Sequence, residues 1–140
     1  MKKILILLLL MVSTNVSAEW TKFGDTSDYS DTTYIDRQSI QKTGDKLKIW
    51  VLTDFKEIQS LPVANSPLYL SQVVYQEIDC QERTIKQIEL VYFSGNMRSG
   101  TPVLLISQDE ILRSSQGGAP SFISPGSKGE VIYKIACNKK

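Results

Sequence analysis

Apolar and polar residues alternate most cleanly over positions 46–56, where Leu47, Ile49, Val51 and Phe55 are interleaved with Lys48, Trp50, Leu52 and Asp54. A period of two marks a strand with one buried face, because successive side chains leave opposite faces of the pleat. The first set predicts the core face, with Lys46, Lys48 and Asp54 exposed. Trp50 and Leu52 then share the other face, which must be partly covered, and a packed helix would cover it.

The same reading extends along the chain. The stretch 68–95, LYLSQVVYQEIDCQERTIKQIELVYFSG, is apolar and β-branched on both sides of a polar junction and predicts two long strands meeting at Cys80. Its first half is ambiguous. Ser66 and Pro67 can open a helix in which Leu70, Val73, Val74 and Ile78 are suitably spaced. Against this, Tyr69, Val73, Val74, Tyr75 and Ile78 are β-formers, and strand is the preferred reading.

Residues 19–24 predict a short first strand with Trp20 as a buried anchor. Thr32 to Ile35 is β-prone, and Asp36 can cap a turn over 37–40. Residues 103–106 read as a short buried strand. The polar stretch 107–122, with Gly117, Gly118 and Pro120, predicts a mobile loop.

Near the C-terminal end, Ser127 with Glu130 three residues later has the capping-box spacing. Val131, Ile132, Ile135 and Ala136 follow as one apolar stripe of a helix, and Lys134, Lys139 and Lys140 favour its C-terminal end. The fold class is α+β: an antiparallel sheet of about six strands packed with a C-terminal α-helix.

Residues 1–18 have the three parts of an export signal: Lys2 and Lys3, an apolar run over 4–12, and Val16-Ser17-Ala18 as the cleavage site. That run is about half the roughly twenty residues needed to span a bilayer. Cleavage after Ala18 would leave residues 19–140 as one domain. The expected location is periplasmic, secreted or on the cell surface. No cysteine lies near the cut, so a lipid anchor is not expected.

Without Lys2 and Lys3, 14 of the 16 basic residues face 15 acidic ones, a net charge of −1. That balance offers no footprint for nucleic acid and no polybasic membrane patch. Cys80 and Cys137 are the only cysteines, and an exported chain places them in an oxidising compartment. One disulfide between them is predicted, closing 57 positions and stabilising the fold by about 4 kcal/mol on chain-entropy grounds.

Candidate chemistry is sparse. The chain has no histidine, which removes Ser-His-Asp and Cys-His catalysis and histidine-based metal sites. Ser39-Ile40-Gln41-Lys42 is a Ser-x-x-Lys match and Lys42-Thr43-Gly44 a Lys-Thr-Gly match. Penicillin-recognising enzymes need these on separate elements, whereas here they share one lysine, a coincidence in a chain rich in serine and lysine. Asp25, Asp28 and Asp31 lack the glycine and terminal glutamate of a calcium loop and read as a solvated acidic loop. Glu77, Asp79, Glu82 and Arg83 read as charges at a hairpin end. No cofactor, metal or enzymatic activity is expected.

Several stretches together resemble the surface-adhesin E-like family of Gram-negative bacteria. They are Glu19-Trp20, TTYIDRQSI at 32–40, KLKIWVLTDFK at 46–56, YQEIDCQER at 75–83, YFSGNMRSGT at 92–101 and SPGSKGEVIYKIAC at 124–137. The resemblance implies an antiparallel sheet and a C-terminal helix crosslinked by the two cysteines. It also implies an exported, non-enzymatic binding module with a protein partner, host extracellular matrix included. The alternative is a periplasmic structural or accessory subunit of an envelope assembly, with no host ligand. Recognition is expected on the connections 94–101 and 107–125, where Met97, Arg98 and Phe122 have the most contact area to offer.

Overall fold

The computed structural model describes residues 18–23, 31–114 and 118–138. The export-signal reading up to residue 17, Asp25 and Asp28 of the acidic loop, Gly117, Lys139 and Lys140 lie outside the described residues. Six antiparallel strands lie side by side in chain order: β1 Trp20–Phe23, β2 Asp31–Thr43, β3 Lys46–Ser60, β4 Leu68–Asp79, β5 Thr84–Phe93 and β6 Pro102–Ile106. A two-residue strand, β7 Ser121–Phe122, pairs with the start of β5 and makes seven. Among the described residues two α-helices, α1 Gln108–Arg113 and α2 Lys128–Ala136, follow β6.

Residues 68–79 are strand because β4 is buried on both faces in turn. Tyr69, Ser71 and Val73 are buried along its first half, and Val74, Gln76 and Ile78 along its second. Side chains of odd and even position leave opposite faces, so burial crosses the sheet midway along the strand. A helical stripe would bury one side throughout.

The helix α2 covers the Leu47, Ile49 and Val51 face, not the Trp50 and Leu52 face as expected. Leu47, Ile49, Val51, Ile35, Ile78, Ile132 and Tyr133 form one core cluster. Phe55 continues the parity of Val51 but is only half-buried. Asp54 lies opposite Ser71 and Gln59 opposite Tyr69, so five steps on β3 match two on β4 and the strand bulges just after Asp54. Phe55 instead meets the Tyr69 ring edge-on at 5.6 Å. Lys46 is exposed as expected, whereas Lys48 and Asp54 are half-buried.

The polar stretch after residue 107 holds a helix where a loop was expected. The Ser107 backbone N–H and hydroxyl both donate to Glu110 Oε2, at 2.8 and 2.9 Å, and Ile111 buries beneath the single turn and a half they start. At α2, Ser127 Oγ accepts the Glu130 N–H at 3.2 Å, but the return bond comes from the Gly126 N–H to Glu130 Oε2 at 2.8 Å. Val131 points to solvent, and Tyr133 takes its place in the buried stripe. The Tyr133 hydroxyl donates to the Cys80 carbonyl at 3.1 Å. The Cys80–Cys137 disulfide, with a Cα separation of 5.8 Å, then ties the C-cap of α2 to the end of β4.

Candidate binding site on the open sheet face

The face away from α2 is shaped by a bulge in β2. Asp36 lies opposite Trp50 and Gln41 opposite Lys48, so β2 carries three more residues than β3 over this interval. Polar side chains replace the missing ladder bonds. Asp36 Oδ1 accepts the Gln38 N–H at 3.0 Å, as a capping aspartate should, although the strand continues instead of turning. The Ser39 hydroxyl donates to the Asp36 carbonyl at 2.7 Å and accepts the Trp50 N–H at 3.1 Å. The Ser-x-x-Lys match is therefore structural: its serine is a rung of the sheet.

Beyond this bulge runs an open groove of about 660 Å³, lined by Trp20, Asp36 and Ser39 on one side and by Phe93, Arg98 and Pro102 on the other. Trp50, Val73 and Val91 form its floor. The Trp50 ring stacks on Tyr75 with centroids 4.6 Å apart. Trp20 is thus a half-buried groove wall, not a core anchor.

The far rim is the turn Asn96–Arg98, and it is rigidly held. Met97 at φ 51° and Arg98 at φ 64° are consecutive non-glycine residues in the left-handed region. Each such residue costs about 1–2 kcal/mol, so the surroundings must impose the shape. Asp54 Oδ1 accepts the Met97 N–H at 2.6 Å, and Ser71 Oγ accepts the Arg98 N–H at 3.0 Å while donating to the Gly95 carbonyl at 2.6 Å. The Asn96 amide donates to the Phe55 carbonyl at 2.8 Å. Asp54 and Ser71 lie opposite each other on neighbouring strands, so the turn caps one end of the open face.

Met97 is 41% exposed, and Arg98 extends its guanidinium over the Phe93 ring at 5.9 Å. Phe122 is 82% exposed but lies opposite Thr84, at the other end of β5. Nine steps of strand, roughly 30 Å, separate it from Phe93 and the turn. The structure brings Met97 and Arg98 together and leaves Phe122 apart. The connection 94–101 is a structured rim with Gly100 at φ 73°, and its neighbour the groove was missed by sequence reasoning.

Shifted titrations lie elsewhere. Burial, then the neighbouring Tyr69, raises the Tyr92 hydroxyl above its ordinary value. Glu110 and Glu130 are held below the usual glutamate value, chiefly by the backbone N–H groups of Ser107 and Gly126. Asp31 accepts Lys128 Nζ at 2.6 Å, joining β2 to α2. Arg83 stands 3.6 Å from Glu130 and 5.2 Å from the Tyr133 ring centroid. Among the described residues no group of three histidine, cysteine or acidic side chains is arranged to hold a metal, and no helix is long and apolar enough to cross a membrane.

An antiparallel sheet with a disulfide-tied helix on one face and an aromatic groove on the other defines a small α+β scaffold with one open sheet face. Over residues 20–138 the chain matches the family described as surface-adhesin protein E. It belongs to that family. Its fold is similar to solved structures of Haemophilus influenzae protein E. The selenomethionine form aligns with a TM-score of 0.59 at 13% identity, covering 89% of this chain and 90% of that one. A second crystal form gives 0.59 at 14% identity, with 89% and 91% covered. Protein E from a non-typeable strain gives 0.54 at 13% identity, with 87% and 86% covered. Compared directly with curated protein sequences, the chain has no significant match.

Proposed function

We propose that the protein is an exported, non-enzymatic binding module that recognises a protein partner at the cell envelope or host surface, extracellular-matrix proteins included. The observation that carries this reading is the turn Asn96–Arg98. Two consecutive strained residues are held by hydrogen bonds from two strands, and their side chains project from a rigid scaffold. Backbone strain of this kind collects at binding and switching sites, and a pre-set loop loses little entropy when a partner docks. Family membership supports the same reading.

In this reading Met97 and Arg98 form the principal contact, and Phe122 is a second one. A protein-sized footprint of about 800 Å² per partner can reach both. The test measures binding of the domain to immobilised extracellular-matrix proteins, together with antibody access to intact cells. Alanine at Met97 and Arg98 together should weaken binding about tenfold or more without lowering the melting temperature. Phe122→Ala should weaken it less. Unchanged affinity in the double variant would remove the turn from the contact, and a strictly periplasmic location would favour an accessory envelope role.

A further inference from the structure

A row of side chains crosses the open face at right angles to the strands: Trp20, Asp36, Trp50, Tyr75 and Glu89 stand opposite one another on β1 to β5. Asp36 is 7% exposed, lines the groove and forms no ion pair among the described residues. Its one described side-chain bond is the Gln38 N–H on Oδ1. A carboxylate this buried, placed across the sheet between Trp20 and Trp50 and with no ion-pair partner among the described residues, is an unusual thing for a sheet to keep. Glu89, three strands away, lines the same groove. Their surroundings match a cationic side chain: an alkyl stem can lie on the aromatic floor while its head meets carboxylate and ring faces.

Spacing makes the match more specific. Three strand separations of about 4.8 Å place Asp36 and Glu89 roughly 14 Å apart, and an extended chain covers that distance in about four residues. Side chains four apart in an extended chain leave the same face, with the one between them pointing the same way. We propose that this groove binds an extended polypeptide segment carrying lysine or arginine at two positions four residues apart. One basic side chain sits on Asp36 and the other on Glu89, and an apolar side chain midway rests on Trp50 and Tyr75. The inference rests on the reading of the protein as a protein-binding module and names the chemistry of the partner.

The probe is a synthetic, acetylated and amidated peptide with lysines four apart and valine or threonine between, titrated into the domain and followed by tryptophan fluorescence. Binding should be saturable. It should weaken about tenfold or more in Asp36→Asn and in Glu89→Gln, and be lost when both lysines become glutamate. Shifting the lysines to three apart should weaken it comparably. Glu89→Gln is on a half-buried residue and keeps the test valid if Asp36→Asn fails to fold. Equal affinity in Glu89→Gln and the unaltered domain, or in the lysine and glutamate peptides, would overturn the proposal. So would free lysine amide binding as tightly as the peptide. If no peptide binds while the domain still captures matrix proteins through Met97 and Arg98, the groove assignment falls and the binding-module reading stands.

Discussion

Val51 and Lys48 test the parity of β3 at the level of single side chains. Val51 is 5% exposed within the core cluster, so Val51→Asp buries a charge without a partner and should unfold the domain. Lys48 is half-buried and stands opposite Glu77 on β4, so Lys48→Asp sets like charges across the ladder. A loss of up to about 1 kcal/mol is expected. Urea unfolding of the two variants checks this, and equal losses would show the parity to be wrong. Met97 is the opposite kind of residue. At φ 51° it occupies a backbone region that favours glycine, so Met97→Gly should raise stability by about 1 kcal/mol while removing a contact side chain. A variant that becomes more stable and binds less would separate strain kept for recognition from strain kept for folding.

The elements differ in how far the sequence disclosed them. The alternation from Leu47 to Val51 is legible because those side chains enter one core cluster with α2, whereas Leu52, fully buried on the opposite face, interrupts it. The capping pattern of Ser127 and Glu130 likewise announces α2, although Gly126 supplies the return bond. The helix α1 is hidden because six residues are too few to show a helical period. The bulges after Asp36 and Asp54 are hidden for a different reason: register is a property of two strands, and neither strand alone records it. The groove follows from those bulges and from a row drawn from five strands, so no local window of sequence contains it.

The cap of α2 also makes a prediction. The folded state holds Glu130 below the ordinary glutamate value, first through the Gly126 N–H and then through Lys134 and Arg83. A depressed value contributes stability above the unfolded-state titration, and that contribution is lost as pH falls through the folded-state one. Acidification should therefore loosen α2, and Glu130→Gln should flatten this part of the pH dependence. Circular dichroism of both proteins at neutral and acid pH checks the sign.

At the scale of the molecule, the division of labour between the two faces organises the fold. One face is closed by α2, Tyr133 and the Cys80–Cys137 bond, and the other carries the groove and the Asn96–Arg98 rim. The disulfide spans 57 positions, and reducing it or replacing both cysteines by serine should cost about 4 kcal/mol. Because the bond ties the helix face, the groove should keep its peptide affinity for as long as the domain stays folded. Recognition on the open side, as proposed above, is the central claim. Hydrogen exchange of the domain with and without a bound extracellular-matrix protein tests it most directly. Added protection should appear at the amides of 96–98 and along the middle of β2 to β5, with α2 unchanged. Protection confined to α2 and the Cys80 end of the sheet, or none on any bound partner, would contradict the account.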